Sequence, residues 1–387
     1  MKTDKKYNSK IQNELLKLLK KLVSIDTSYP PANTKLFDQF IRQYLKGSEL
    51  TINSYFKQDK NKLNTVIKNY NGFQKSLVFN SHIDTVKPIK EEWNTDPYKL
   101  IVKNKHSTGL GSVNCKSSAA VHLYIAKNFK KLFPKFKSNI AFTFVADEEN
   151  LGPEGTLFLK QKKIINPHTL ILGAPTNNNM LIEERGVFWA KVDLFGKTSH
   201  AGEPEKGINS IVQTAKLINL IENVYKKSLK KFNVGFHKST ISIGIISGGE
   251  NINVVPYKTT FMIDRRITHR ETIQKSFNDL KKFILKHFSN AKISFMTGTN
   301  PFKSDSKNKY LVSLKEAFRL IYKKNPKYLS SIGVSDGRYF ADQKVNIINI
   351  GPGTGEEGHR SNEKLINDDL INYYLILHSF LKNIQGK

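Results

Sequence analysis

Short runs of apolar residues recur along the chain, and each has the length of a buried β-strand. The clearest four cover residues 77–79, 140–145, 170–172 and 345–350. Many of these runs are separated by segments with helical periodicity, a pattern typical of parallel strands joined by helices. The sequence therefore predicts an α/β fold built on a mostly parallel sheet.

Polar residues follow each of the four predicted strands at the point where the strand ends. The four continuations, in chain order, are His82 with Asp84, Asp147-Glu148-Glu149, residues 173–176, and His359 after a glycine-rich segment. Ligands bind at the carboxyl ends of strands in open α/β sheets. We therefore expect these groups to share one crevice.

A different pattern begins near Gly186 and indicates a smaller α+β insert. Its predicted elements are strands over residues 187–195, 240–246 and 259–263 and helices over 208–224 and 271–288. The sheet pattern resumes after residue 300 with a predicted helix over 309–322. The sequence thus predicts a discontinuous first domain, residues 1–185 plus 300–387, that is interrupted by an inserted domain, residues 186–299.

Length and composition narrow the class of protein. A chain of 387 residues exceeds what one hydrophobic core usually holds, which favours two domains. No stretch approaches the roughly 18 apolar residues of a membrane span, and the start is amphipathic instead of resembling a signal peptide. One cysteine, Cys115, excludes an internal disulfide and fits a reducing compartment. We therefore expect a cytoplasmic protein without a membrane partner.

The formal net charge of +29 raises the question of an anionic partner. Only eight of the 62 basic residues are arginine, whereas sites that grip phosphates or bases favour the bidentate fork of arginine. The lysines are spread along the whole chain, as solvated surface residues are. We therefore expect no nucleic-acid role, although attraction of anionic substrates stays open.

Asp147-Glu148-Glu149 would repel one another at the end of an apolar strand unless a cation were present. Adjacent side chains on a turn can point differently, so one carboxylate can bind a metal while its neighbour acts on water. An acidic triplet alone usually marks a solvated turn, and a lone histidine is usually a surface residue. The combination of the triplet with His82, Asp84 and His359 at matching strand ends favours a metal site.

The successive motifs resemble those of the M20 family of metallopeptidases and deacylases. They are His82-Ile83-Asp84-Thr85-Val86, Trp93 with Asp96-Pro97, Gly109-Leu110-Gly111-Ser112, Asp147-Glu148-Glu149, Gly173-Ala174-Pro175-Thr176, Ser199-His200-Ala201-Gly202, and Gly351-Pro352-Gly353 through His359. Within the family they look most like the acetylornithine deacetylase and succinyl-diaminopimelate desuccinylase branch. The resemblance implies a zinc-peptidase-like domain with an inserted dimerisation or lid domain, hence a homodimer through residues 186–299.

The resemblance also implies roles for individual residues. His82, Glu149 and His359 would bind a divalent metal, zinc with cobalt or manganese as alternatives, and Glu148 would be the general base. Asp84 would orient His82. His200 would polarise the scissile carbonyl in the other subunit's site. Asn253 and Arg266 would bind the carboxylate end of a small N-acyl amino acid or peptide; their alternatives are a turn and a surface salt bridge.

Two positions depart from the family's metal-binding pattern. Asn114 stands where the family places a bridging aspartate, and Ala174 stands where it places a glutamate ligand. Asn keeps a ligand oxygen without the charge that offsets repulsion between two cations, and Ala offers no ligand. We therefore expect one ion instead of two, with Asn114 as a weak ligand.

The expected function is metal-dependent hydrolysis of an amide bond in an N-acylated amino acid or small peptide, in amino-acid biosynthesis. One alternative is a family member that has lost catalysis and keeps a binding or partner role. Another is a serine hydrolase, because Gly333-Val334-Ser335-Asp336-Gly337 fits a nucleophile elbow, with Asp342 and His359 following in order. Cys115 is a weaker nucleophile hypothesis, since no nearby base is indicated.

Overall fold

The computed structural model describes residues 5–150, 152–235, 237–331 and 333–386. These residues divide into two compact units. Unit 1 comprises Met1–Ile182, Ser304–Ser330 and Ser335–Lys387, and unit 2 comprises Glu183–Lys303 and Ser331–Val334. The sequence prediction drew the boundaries at 185/186 and 299/300, whereas the structure draws them at 182/183 and 303/304.

The α-helices are α1 (Lys5–Val23), α2 (Lys35–Tyr44), α3 (Lys116–Lys127), α4 (Phe129–Leu132), α5 (Thr156–Gln161), α6 (Ser210–Leu220), α7 (Lys226–Ser228), α8 (Ile273–His287), α9 (Lys309–Tyr322) and α10 (Asn367–Ile384). The strands are β1 (Ser28–Tyr29), β2 (Thr51–Tyr55), β3 (Asn64–Lys68), β4 (Ser76–His82), β5 (Thr85–Val86), β6 (Ile101–Val102), β7 (His106–Thr108), β8 (Ile140–Val145), β9 (Pro167–Gly173), β10 (Met180–Glu184), β11 (Gly186–Phe195), β12 (Thr240–Gly248), β13 (Lys258–Ile267), β14 (Ala291–Thr299), β15 (Phe302–Lys303), β16 (Tyr328–Ser331), β17 (Asn346–Ile350) and β18 (Lys364–Ile366). Short 3₁₀ or π segments cover Lys90–Glu92, Pro204–Lys206, Ile221–Tyr225, Leu229–Phe232 and Asp336–Phe340.

The main sheet of unit 1 has the strand order β2-β3-β8-β4-β9-β17-β10. Its centre is parallel, because β4 pairs in parallel with both β8 and β9, and β9 pairs in parallel with β17. The flanking strands β2, β3 and β10 pair antiparallel, so the sheet as a whole is mixed. The four strands predicted from apolar runs are therefore the four adjacent parallel strands.

Helix α3 is the buried helix of unit 1 that packs against the parallel strands β4 and β8. Its residues from Lys116 to Ala126 are buried, and it packs against α1, α10, β4 and β8. Phe79 on β4 stacks on Phe142 of β8 inside this core. None of the helices within the described residues is long and apolar enough to cross a membrane.

Unit 2 is built on an antiparallel sheet with the order β12-β13-β11-β14, against which α6 and α8 pack. Alternate residues of β11 (Phe188, Ala190, Val192 and Leu194) are fully buried and form a core with Leu217 of α6 and Leu280 of α8. Side-chain caps fix the helix starts: Asn209 accepts from the amides of Ile211 and Val212, and Thr272 accepts from Lys275.

Candidate metal centre

The carboxyl ends of the four parallel strands lie at one edge of the unit 1 sheet. His82 at the end of β4 is paired with Val145, the last residue of β8. Gly173 at the end of β9 is paired with Ile350, the last residue of β17. The polar segments that follow these strands therefore start from neighbouring points, as expected for a ligand site in an α/β sheet.

His359, Glu149, Asn114 and His82 form a connected cluster at this edge. His359 Nε2 lies 2.9 Å from Glu149 Oε1, and Asn114 donates from Nδ2 to the same oxygen at 3.1 Å. Asn114 Nδ2 also lies 2.9 Å from His359 Nε2, and Asn114 Oδ1 lies 3.3 Å from His82 Nε2. The structure thus brings together the four side chains that the sequence nominated as metal ligands.

Glu148 lies beside this cluster and forms a group of three candidate ligands with His82 and Glu149. His82, Glu148 and Glu149 each offer one ligand atom, and the three atoms lie within 4.8 Å of one another. Glu148 Oε2 is 4.0 Å from His82 Nε2. Two carboxylates and an imidazole at this spacing form a donor set that suits a first-row divalent cation.

Asp84 contacts both His82 and the Glu149 turn, although its contact with His82 differs from the carboxylate contact that the sequence suggested. His82 Nδ1 is 3.0 Å from the backbone carbonyl oxygen of Asp84 and 3.6 Å from its carboxylate Oδ1. The other carboxylate oxygen, Oδ2, accepts a hydrogen bond from the Glu149 amide at 3.0 Å. Asp84 therefore orients the imidazole chiefly through its main chain and fixes the Glu149 turn through its side chain.

The electrostatics of the cluster reflect crowded carboxylates in a buried place. Burial raises the pKa of Glu148 to about 8, against the attraction of His82. The hydrogen bond to Glu149 raises the pKa of His359. Burial acts to lower the pKa of His82, but neighbouring groups, among them Cys115 and Glu148, raise it well above its ordinary value. Each of these three groups therefore holds its proton more tightly than it would in water.

Glu363 anchors the turn that carries Asn114, a role that sequence reasoning missed. Its carboxylate accepts hydrogen bonds from the amides of Val113 at 2.9 Å and Asn114 at 3.2 Å, and also from the Gly111 amide. Burial raises the pKa of Glu363 to about 7. A single glutamate carries no spacing signal that could have identified it.

Position 174 offers no side-chain ligand. Ala174 follows β9 directly, and a Cβ atom on Gly351 would lie only 2.5 Å from its carbonyl oxygen. The main chains of the two strand ends are therefore tightly packed there. A second ion beside His82 would lack the carboxylate that this position supplies in the pattern described above, so the donor set fits one ion better than two.

His200, Asn253 and Arg266 lie in unit 2. His200 is exposed and its Nδ1 accepts from the Gly202 amide at 3.0 Å. The Ala201 amide donates to the Asn253 carbonyl at 2.9 Å, which places His200 and Asn253 on adjoining turns. Arg266 donates from Nε and Nη2 to Asp264 at 2.8 and 3.1 Å. This is the salt bridge that the sequence offered as the alternative to substrate binding.

The nucleophile-elbow hypothesis does not match the local structure. An elbow needs a strand directly before the serine and a helix directly after it. Strand β16 ends at Ser331, residues 333–334 are not in a strand, and Ile332 lies outside the described residues. Ser335 instead accepts from the Gly337 amide and begins the short 3₁₀ segment Asp336–Phe340. Cys115 is fully buried with its pKa raised to about 11 by burial, so it is a poor nucleophile.

Comparison with known proteins relates the chain to a peptidase family. The sequence model of Peptidase family M20/M25/M40 matches residues 78–383. A succinyl-diaminopimelate desuccinylase from Nautilia profundicola is 29% identical over 350 residues, which cover 87% of this chain and 90% of that protein.

Solved structures share the fold. A tripeptidase from Staphylococcus aureus has a TM-score of 0.75 at 19% identity, covering 97% of this chain and 99% of that one. A dinuclear metal-binding peptidase from Bacillus subtilis has a TM-score of 0.71 at 14% identity, covering 98% and 99%. The α/β class with a smaller inserted unit is thereby confirmed.

Proposed function

Because the chain belongs to peptidase family M20/M25/M40, a family of metal-dependent hydrolases, we propose that it hydrolyses an amide bond in an N-acylated amino acid or small peptide. The observation that carries the proposal is the contact of His359, Glu149, Asn114 and His82, with Glu148 alongside. Relatives named as succinyl-diaminopimelate desuccinylases support an acyl-amino-acid substrate. A role in amino-acid biosynthesis is part of the proposal.

His82, Glu149 and His359 would hold the metal, with the Asn114 oxygen as a weaker ligand. A divalent cation supplies Lewis acidity there, which acidifies water and polarises a carbonyl. Glu148 takes the proton of the attacking water and returns it to the leaving amine. Zinc is the proposed ion, with cobalt or manganese also suited to imidazole and carboxylate ligands. Because Asn114 and Ala174 weaken the second position, we propose a single ion.

The substrate's carboxylate end is proposed to bind Asn253 and Arg266, with the guanidinium exchanging its Asp264 partner for the ligand. His200 is proposed to stabilise the oxyanion. The excess of positive charge would attract anionic substrates. The lone cysteine fits a cytoplasmic site of action.

We also propose a homodimer through unit 2. Strand β12 is at the edge of its sheet, and Ile245 and Ile246 on it are 56% and 55% exposed. An exposed apolar edge strand is a template for pairing with another chain. Dimerisation would let His200 of one subunit serve the other, as the family resemblance implies.

A family member that binds without hydrolysing is the second candidate, and Asn114 and Ala174 favour it. The deciding experiment measures metal content by elemental analysis, and then hydrolysis of N-succinyl and N-acetyl amino acids before and after chelation. The proposed function predicts one equivalent of metal, activity lost with chelator, and activity restored by zinc or cobalt. Purified protein that binds metal and cleaves none of these substrates would favour the binding role.

A further inference from the structure

A buried arginine lies directly behind the proposed general base. Arg338 is 4% exposed and belongs to the 3₁₀ segment Asp336–Phe340. Its Nη1 lies 3.6 Å from Glu148 Oε1 and makes no hydrogen bond among the described residues. Burying a guanidinium nitrogen without a hydrogen bond costs free energy of folding. The position of this nitrogen beside Glu148 therefore needs an explanation.

The guanidinium is held in place from its other side. Arg338 Nη2 lies 3.6 Å from Asp336 Oδ1 and donates to the Tyr339 hydroxyl at 2.7 Å. The guanidinium also lies over the Tyr339 ring, 4.4 Å from its centroid. Stacking and ion pairing of this kind fix the plane of the arginine fork.

Asp336 and Tyr339 are themselves tied to the sheet edge. Thr156 donates to Asp336 Oδ2 at 2.6 Å and accepts from Asn80 Nδ2 at 2.8 Å. Tyr339 donates its hydroxyl hydrogen to the Gly152 carbonyl at 3.1 Å. The arginine therefore cannot turn away from Glu148 without losing its hydrogen bond to Tyr339 and its ion pair with Asp336, both of which other contacts hold in place.

The two neighbouring glutamates differ in what surrounds them. Glu149 Oε1 contacts Asn114 and His359, both of the proposed ligand set. Glu148 has Arg338 at Oε1, and only its Oε2 faces His82, at 4.0 Å. The surroundings thus distinguish two side chains that the sequence presents as equivalent.

We infer that Arg338 is a positioning residue that draws Glu148 Oε1 away from the metal ligands and leaves Oε2 to act on water. The inference rests on the proposed function, since it assigns the base role of Glu148 to a specific contact. Active-site contacts of this kind are often long in the free enzyme and tighten when substrate binds. A general base that is misplaced by about 1 Å loses roughly 100-fold in rate.

The test compares Arg338→Met and Arg338→Lys with the native enzyme loaded with zinc. We expect Arg338→Met to lower kcat roughly 100-fold with little change in KM, because Glu148 would lose its restraint. Metal content should stay at the native level, since Arg338 contacts none of the proposed ligands. Lysine should restore only part of kcat because it lacks the planar fork. Added guanidinium should restore Arg338→Met activity by at least ~10-fold, whereas neutral urea at the same concentration should not.

Arg265→Met is the matched control for the loss of a buried, ion-paired arginine. Arg265 pairs with Glu271, each side chain is 1% exposed, and both lie in unit 2. This variant should be less stable than the native enzyme, and added guanidinium should not raise its kcat. Thermal melting of all variants separates misfolding from loss of catalysis.

The outcomes separate the inference from the function on which it rests. If the zinc-loaded native enzyme cleaves no acyl amino acid, both fail. If the native enzyme is active and Arg338→Met keeps its kcat, or loses its metal together with its activity, the inference alone is overturned. Equal rescue by urea and guanidinium would also overturn it.

Discussion

His359 Nε2 lies 2.9 Å from Glu149 Oε1, although the two residues are 210 positions apart in the chain. Glu149 is almost buried, whereas the His359 side chain is 52% exposed. The pair therefore joins an interior turn to a surface loop. An ion bound between them would hold that loop, because both side chains would be ligands.

Adjacent substitutions at the acidic triplet should have different effects. Glu149→Gln removes a proposed ligand charge, so we expect loss of bound metal and of activity together. Glu148→Gln should keep the metal and lower kcat by roughly 10²–10⁴-fold, because only the proton transfer is lost. Elemental analysis and steady-state kinetics on the same preparations measure both effects. Loss of metal from the Glu148 variant alone would reverse the two assignments.

The double substitution Asn114→Asp with Ala174→Glu should raise the metal content from one ion toward two. Aspartate adds the charge that screens two cations from each other, and glutamate adds the missing ligand beside His82. The two single variants are the controls, and each should bind less than the double variant. A stoichiometry that does not change in any of the three would contradict our ligand assignment.

Glu363→Gln should change how stability depends on pH. Burial raises the pKa of Glu363 from an ordinary 4.5 to about 7, so the folded protein holds this proton more tightly than the unfolded chain. The protonated side chain adds its full contribution to the free energy of unfolding below pH 4.5. That contribution is lost as the pH rises through about 7, at up to about 1.4 kcal/mol per pH unit. Urea unfolding of metal-free protein at several pH values should show a flatter profile for the variant across this window.

His122 should give the opposite pH dependence of stability, with stability lost as the pH falls. It lies in the core between Ser81 Oγ at 2.8 Å and Tyr373 hydroxyl at 2.7 Å, and burial lowers its pKa from 6.5 to about 3. The neutral imidazole contributes stability above pH 6.5 that is lost as the pH falls toward 3. His122→Gln should remove this acid sensitivity, as measured by urea unfolding between these values. An unchanged acid limb would show that His122 is not the group responsible.

Charged substitutions on β12 should disrupt the proposed dimer. Ile245→Lys with Ile246→Lys places two cations on the exposed edge, which disfavours strand pairing. Sedimentation should then show a monomer. Its activity should be reduced if His200 serves the other subunit. Met296→Lys on β14, at the opposite edge of the same sheet, is the matched control and should remain dimeric.

The sequence predicted the central strands well because they are buried on both sides. The β8 prediction, residues 140–145, matches its observed bounds, and all six of its residues are buried. The α9 prediction, residues 309–322, also matches, because the Asn308 side chain caps the Tyr310 amide at the start. Strand β2 was not predicted, since its residues are half-exposed and show no apolar run.

Other features depend on contacts that periodicity does not encode. The helix predicted over 208–224 begins at Ser210, after the Asn209 cap, and becomes a π segment at Ile221–Tyr225. Ordered motifs identified His82, Glu149 and His359. Arg338 and Glu363 are single charged residues whose partners are distant in sequence, so only the fold reveals what they hold.

The anchoring of the Asn114 turn by Glu363 has a consequence for biosynthesis. A ribosome that has synthesised the strands carrying His82 and Glu149 has not yet made the carboxylate that shapes the turn or the imidazole of His359. Early nascent chains would therefore expose an incomplete set of donors. Cation capture by the full donor set therefore waits for the segment that carries His359 and Glu363, which lies directly before β18 and α10; β18 then pairs with β7, and α10 packs against α1, α3 and α9.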